Sequence, residues 1–316
     1  MTQNANAIIT LCSHLCVGED VVPLEPAEWT KLARQLVDLR LQPEDLFGFS
    51  RRDLIDRVGL APAFAERILR LIARNASLIF ELEQLENTGI FVVTRADHDY
   101  PAALKKKLGS QCPPLFYYAG DLSLANLPLI GYVGSRTVSD QDVAFTRLTV
   151  AKTAAKGYGV VSGGAKGVDS ASEESALEAG APVVEYLSDS MLRKLRSAQI
   201  TKAIRNKQLL LLSVTRPDAG FNVGMAMMRN RYIYAQSAGT VIVRSDYQKG
   251  GTWAGAVENL KYGWCKTVCW DHKAYKGNQE LIRLGAIGIG EDWDGDPDAL
   301  LPPPKPGEQM SLFDEM

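Results

Sequence analysis

The feature that most constrains this chain is an alternation of strand-length apolar runs, glycine turns and helix-length segments that begins at Leu129. LIGYV runs into GSR and is followed by QDVAFTRLTVAKTAAKGY, which has helical periodicity. GVVS runs into GGAKG and is followed by SASEESALEAGA. PVVEYL, QLLLLSV, TVIVRS and KTVCW continue the strands, separated by the helical stretches MLRKLRSAQITKAIRN, GMAMMRNRYIYAQSA and TWAGAVENLKYG. Strands separated by helices of this length join by crossovers rather than tight hairpins. The spacing therefore predicts an α/β fold with a doubly wound parallel sheet, its ligands at the carboxyl ends of the strands. The glycine-rich turns fall at those ends.

The flanking segments read differently. Apolar positions recur at three and four in WTKLARQLVDLRL and in AERILRLIARNASLIFELEQLE, with short helices and turns between them. This predicts a helical domain over residues 1–85, of the helix-hairpin-helix type, ahead of an α/β domain over residues 86–290. Residues 291–316 contain DWDGDPDALLPPPKPGE, acidic and proline-rich, and are expected to form a flexible tail.

Composition narrows the classes. No apolar run approaches the roughly 20 residues of a membrane helix, and no basic residue precedes the short apolar run near the start. A cytoplasmic protein without membrane contact is expected. Five cysteines, an odd number, argue for reduced thiols rather than a disulfide framework. Cys12 and Cys16 are spaced as one helix face and Cys265 and Cys269 as one strand face, so no metal site is expected even with His14 and His272 nearby. The net charge is −2, but residues 291–316 hold eight acidic residues and one lysine; removing that −7 leaves +5 for residues 1–290. A mildly basic body permits phosphate binding.

Four elements at strand ends carry the chemistry. Gly134, Ser135 and Arg136 follow the first strand, with Ser139 capping the next helix. A glycine lets a phosphate approach the backbone, the helix start supplies amides, and Arg136 supplies charge. Ser162, Gly163, Gly164, Lys166 and Gly167 follow the second strand, with the composition of an anion nest. Arg229, Asn230 and Arg231 are expected at a helix start, and Lys249, Gly250 and Gly251 open another helix with Thr252 as its cap. The glycine spacing is not that of a dinucleotide fold, and Lys166 is not followed by the hydroxyl residue of a phosphate-binding P-loop. No cofactor and no ATP hydrolysis are expected.

The order VGSR, SGGAKGVD with ALEAG, RNR, KGGTWAGA and KGNQELIRLGA, with YPAAL and PPLFYYAGD upstream, resembles the DprA/Smf family of DNA-processing proteins over roughly residues 86–290. The resemblance implies an extended Rossmann-like fold, single-stranded DNA bound in a basic pocket without enzymatic turnover, a homodimer, and loading of RecA in transformation or recombination. Carried over residue by residue, DNA contacts would fall on Arg136, Gly163, Lys166, Arg229, Asn230 and Lys249. The chain departs from the pattern at Glu173, where the family carries histidine, and at Ala226, Met227 and Met228, where an aromatic residue usually precedes Arg-Asn-Arg. The missing aromatic removes a base-stacking platform, which Phe221 replaces only if its loop folds back. No winged-helix domain is expected after the Rossmann-like core, which marks a divergent branch.

Two other readings compete. A LOG-type nucleotide phosphoribohydrolase would use Gly250, Gly251, Glu258 and Arg229, the glutamate stabilising an oxocarbenium-like charge. A phage-defence or nucleotide-sensing protein would keep the fold and change the ligand. The sequence QMSLF also resembles the short peptide by which bacterial proteins dock on the replication sliding clamp. There Leu312 and Phe313 would be apolar anchors and Gln309 would set the register; packing of the pair on the chain's own domain or on a dimer mate is the alternative.

Overall fold

The computed structural model describes residues 1–18 and 21–300. The described residues form two compact units, Met1–Asn126 with Leu187–Met225, and Leu127–Tyr186 with the described residues from Ala226 onward. In chain order the first unit opens with helices α1 (Gln3–Cys12), α2 (Pro26–Asp38), α3 (Arg51–Asp56), α4 (Pro62–Ala73) and α5 (Asn75–Asn87), then strand β1 (Phe91–Thr94), helix α6 (Ala102–Leu108) and strand β2 (Leu115–Ala119). The second unit runs β3 (Leu129–Val133), α7 (Asp140–Ala155), β4 (Gly159–Ser162), α8 (Val168–Glu178) and β5 (Val183–Tyr186). The chain returns to the first unit for α9 (Met191–Lys194), α10 (Ala198–Arg205) and β6 (Leu209–Ser213). It then completes the second with most of α11 (Val223–Gln236), β7 (Gly239–Ile242), α12 (Gly250–Tyr262), β8 (Lys266–Trp270), α13 (Lys276–Arg283) and β9 (Ile287–Ile289).

In the first unit, Pro26 and Pro62 each open a helix, where a missing N–H costs nothing. Arg74, at the junction of α4 and α5, donates to the carbonyls of Thr10 at 2.6 Å and Ser13 at 2.7 Å, and to that of Leu15. It thereby satisfies carbonyls at the end of α1 that the helix leaves open. Strands β1, β2 and β6 pair antiparallel, with Val92 opposite Tyr117 and Tyr118 opposite Leu212. The sequence did not point to antiparallel pairing, and β1 and β2 group with the helices in the first unit. α1 packs on both β1 and β2, and α5 packs on β1.

The second unit holds the parallel sheet, in the order β5-β4-β3-β7-β8-β9. Every residue of β3, β4, β5 and β7 is buried, which is why these strands read as continuous apolar runs. From β3 the chain moves outward through β4 to β5, and from β7 it moves the opposite way through β8 to β9. The strand order therefore reverses between β3 and β7, which makes their carboxyl ends the topological switch point. Right-handed crossovers put α7 and α8, which pack on each other, on one face of this sheet and α12 and α13 on the other. Phe145 of α7 stacks on Trp270 of β8 with ring centroids 4.1 Å apart.

Several local expectations are corrected. Residues 291–300 are docked rather than free: Lys152 Nζ donates to the Trp293 carbonyl at 2.8 Å, Lys266 Nζ to the Pro297 carbonyl at 2.7 Å, and the Trp293 ring is buried. Acidic composition suggested a tail, but backbone carbonyls, not the carboxylates, make most of these contacts. Residues 301–316, with Gln309, Leu312 and Phe313, lie outside the described residues. MLRKLRSAQITKAIRN forms two helices, because Ser197 interrupts the run. α1 ends at Cys12 while Cys16 has φ +51°, so the two do not share a helix face, and Cys265 precedes β8. Among the described residues no group of three or more His, Cys, Asp or Glu side chains is placed to hold a metal, and no helix is long and apolar enough to cross a membrane. Phe221 is half exposed.

Candidate nucleic-acid interface

The turns after β3, β4 and β7 are locked together by close backbone approaches. Gly134, at the end of β3, lies against Val168: a Cβ there would come within 2.4 Å of a valine methyl. Gly167 has φ +84°, and a Cβ on it would stand 2.3 Å from the Ser135 carbonyl oxygen. That same carbonyl accepts the Val168 amide at 3.3 Å. Two glycines thus let the VGSR and SGGAKG turns touch, for the steric reason that side chains would hold them apart. Thr252 was expected to cap α12, but the helix begins at Gly250 with Lys249 as its N-cap. The Thr252 hydroxyl instead donates to the Gly134 carbonyl at 3.0 Å, and Asn230 Nδ2 donates to the Gly251 carbonyl at 3.1 Å. All four sequence elements therefore meet at the switch point of one sheet.

Within this cluster the charged residues divide into exposed and buried sets. Arg136, Lys166 and Lys249 are exposed on their three turns. Arg229 and Arg231 lie in the middle of α11, not at a helix start, because the helix begins six residues before Arg229, at Val223. Arg229 is buried, its guanidinium 3.5 Å from the equally buried Asp169. Burial pushes the Asp169 carboxyl above its ordinary value, opposed by the Arg229 charge and by amide hydrogen bonds that include Ala165. Arg231 pairs with Glu258 of α12 at 2.7 Å. The hydrolase reading required Glu258 beside Arg229; the fold gives Glu258 to Arg231 and Arg229 to Asp169.

The Gly163-Gly164 turn is built around the protein's own charges. A Cβ on Gly163 would fall 1.2 Å from Arg229 Nη1. Gly164, at φ +66°, presents its Cα to the buried Glu185 carboxylate and donates its amide to Glu173 Oε1 at 2.9 Å. Ser162 is buried at the end of β4, and its hydroxyl has no hydrogen-bond partner among the described residues. Ser139 forms a capping box on α7: its hydroxyl accepts the Asp142 amide, and its own amide donates to the Asp142 carboxylate at 2.7 Å. The acidic members of the site, Asp142, Asp169, Glu173 and Glu185, escaped the sequence reading as a set. Glu173 stood out only as a departure from the family pattern, and Glu185 carried a signal as a charge inside the apolar strand VVEY.

A parallel sheet wound in both directions from β3 and β7, with glycine turns bearing cations at the switch point, defines a Rossmann-like α/β protein. A model of the DNA recombination-mediator protein A family matches residues 91–293, and the chain belongs to that family. Its fold is similar to that of DNA processing protein A from Streptococcus pneumoniae, with a TM-score of 0.62 at 20% identity over 85% of this chain and 95% of that one. DNA processing protein A from Helicobacter pylori, described for its single-stranded DNA binding mode, is similar with a TM-score of 0.52 at 25% identity over 63% of this chain and 90% of that one. No curated protein matches the chain.

Proposed function

We propose that this protein binds single-stranded DNA by its phosphates at the carboxyl edge of the parallel sheet, as a non-enzymatic DNA-processing protein. The observation that carries the reading is the convergence of Arg136, Lys166 and Lys249, all exposed, on three turns tied to one another through Gly134, Ser135 and Thr252. Fixed cations on turns with glycine backbone at their surface meet successive phosphates without side chains in the way. Membership of the recombination-mediator family supports the same reading. We extend it, by resemblance, to a cytoplasmic homodimer that protects single strands and hands them to RecA in transformation or recombination.

A gel shift with a single-stranded oligonucleotide at rising salt tests this. Three phosphate contacts give a slope of log affinity against log salt of about −2. Salt-independent binding, or none, sinks the proposal, and release of free base from a nucleoside monophosphate would favour the hydrolase instead.

The QMSLF sequence adds a separable partner, the replication sliding clamp, supported by the sequence pattern alone. A peptide covering residues 304–316 is expected to bind a bacterial clamp with roughly micromolar affinity through Leu312 and Phe313. Calorimetry that detects no binding rejects the clamp, and binding that survives alanine at both positions rejects the anchors.

A further inference from the structure

Phosphate contacts alone leave the bases of a bound strand unaddressed, and Ala226, Met227 and Met228 put no aromatic ring beside Arg229. An aromatic pair does stand at the same sheet edge, Tyr247 on the loop from β7 into α12 and Trp253 in the first turn of α12. Tyr247 and Trp253 meet edge to face, with ring centroids 5.1 Å apart and planes at 82°. Both side chains are part-exposed. Lys276, exposed at the start of α13, holds its ammonium 4.7 Å from the centre of the Tyr247 ring. The loop that carries Tyr247 is closed by a hydrogen bond from the Lys249 amide to the Asp246 carbonyl at 3.3 Å, with Gln248 between them at φ +56°.

The pair is continuous with the phosphate-binding elements. Trp253 directly follows Thr252, whose hydroxyl is bonded to Gly134, and Tyr247 stands two residues before Lys249. Aromatic rings held against each other lose little further freedom when a base stacks on them, and every base offers a π face. A core role would require burial, yet the neighbouring core rings Tyr234 and Trp270 are buried while Tyr247 and Trp253 keep part of their surface in water. Surrounding cations, Lys249 and Lys276, suit the phosphates on either side of a stacked nucleotide.

We propose that Tyr247 and Trp253 form a base-stacking platform for the nucleotide that follows the phosphates held by Arg136, Lys166 and Lys249. This rests on the phosphate-binding reading above and adds a contact that reading does not contain.

The test compares, on the intact protein, an oligothymidylate with an abasic strand of the same length and charge. The wild type is expected to bind the oligothymidylate about fivefold or more tightly than the abasic strand. Tyr247→Ala and Trp253→Ala, checked for folding by circular dichroism, should lose most of that preference and keep the wild-type salt slope, while Trp253→Phe should retain it. Equal binding of both strands by the wild type overturns the platform and leaves the phosphate reading standing. Binding of neither strand overturns both. A preference that persists in folded Tyr247→Ala and Trp253→Ala places base recognition elsewhere and overturns the platform alone.

Discussion

The guanidinium of Arg229 occupies the space that a side chain on residue 163 would need, since a Cβ on Gly163 would fall 1.2 Å from Nη1. The two residues are therefore one steric unit: a helix arginine packed flat against a glycine of the β4 turn. Gly163→Ala must displace a buried cation that is paired with Asp169. We expect a loss of stability of about 1–3 kcal/mol, the usual range for overpacking, together with weaker single-stranded DNA binding. Thermal unfolding reads the first and a gel shift the second. An unchanged melting temperature would mean that Arg229 moves aside without cost.

Arg136 and Lys166 are exposed, so their removal tests DNA binding with little effect on the fold. Each change to alanine should lower the salt slope by about 0.7, the single-strand value for one lost phosphate contact. The melting temperature should stay within error of the wild type. If both variants keep the wild-type slope, the phosphates are held by other groups.

Arg229 is a different kind of arginine. Arg229→Ala would leave the buried Asp169 carboxylate without its partner, at a cost of about 3–5 kcal/mol. A loss of DNA binding in that variant would by itself say nothing of contact. Replacing Asp169 by Asn in the same chain removes the stranded charge, so Arg229→Ala/Asp169→Asn should recover part of the lost stability. Denaturant titration of the two variants decides it, and a double variant no more stable than the single one would show that the ion pair is not what holds α11 to the turn.

Much of the fold was legible because central parallel strands are buried on both faces and read as near-continuous apolar runs, as LIGYV, GVVS and GTVI do. The positions of the glycine turns followed from the same alternation. What the sequence could not convey was pairing at a distance. β6 reads like the other strands, yet it pairs antiparallel with β2, and no local signal distinguishes the two outcomes. Thr252 has the composition of a cap, but whether its hydroxyl turns to its own helix or to the Gly134 carbonyl depends on a turn more than a hundred residues earlier. Arg229 and Arg231 share one motif and one charge. Only the packing of α11 against α8 and α12 gives one of them a buried aspartate and the other a part-exposed glutamate. The sequence thus pointed to the loops that the fold gathers at one sheet edge, but not to which of their charges are paired inside the fold.

Asp142 illustrates a buried charge whose partners make acid its weak point. Its side chain is fully buried, and it accepts hydrogen bonds from the Ser139 amide at 2.7 Å, the Ser139 hydroxyl at 2.9 Å, Tyr275 Oη at 2.6 Å and Arg244 Nη1 at 3.4 Å. Burial pushes the carboxyl upward, but these donors outweigh it and hold it below its ordinary value of 3.8. A carboxyl that ionises more readily folded than unfolded adds stability that is whole above the unfolded value and is lost as the pH falls through the lower folded value. Asp142→Asn should therefore be less stable than the wild type at neutral pH, and the gap should narrow once the pH drops below 3.8. Tyr275→Phe removes one charge-assisted hydrogen bond and should cost about 1.5–3 kcal/mol at neutral pH, again with a gap that closes in acid. Urea unfolding of the three proteins at neutral pH and at successively lower pH below 3.8 measures both gaps. If neither narrows in acid, the α7 N-terminus is held by packing around Phe145 and Trp270 rather than by the ionised carboxylate.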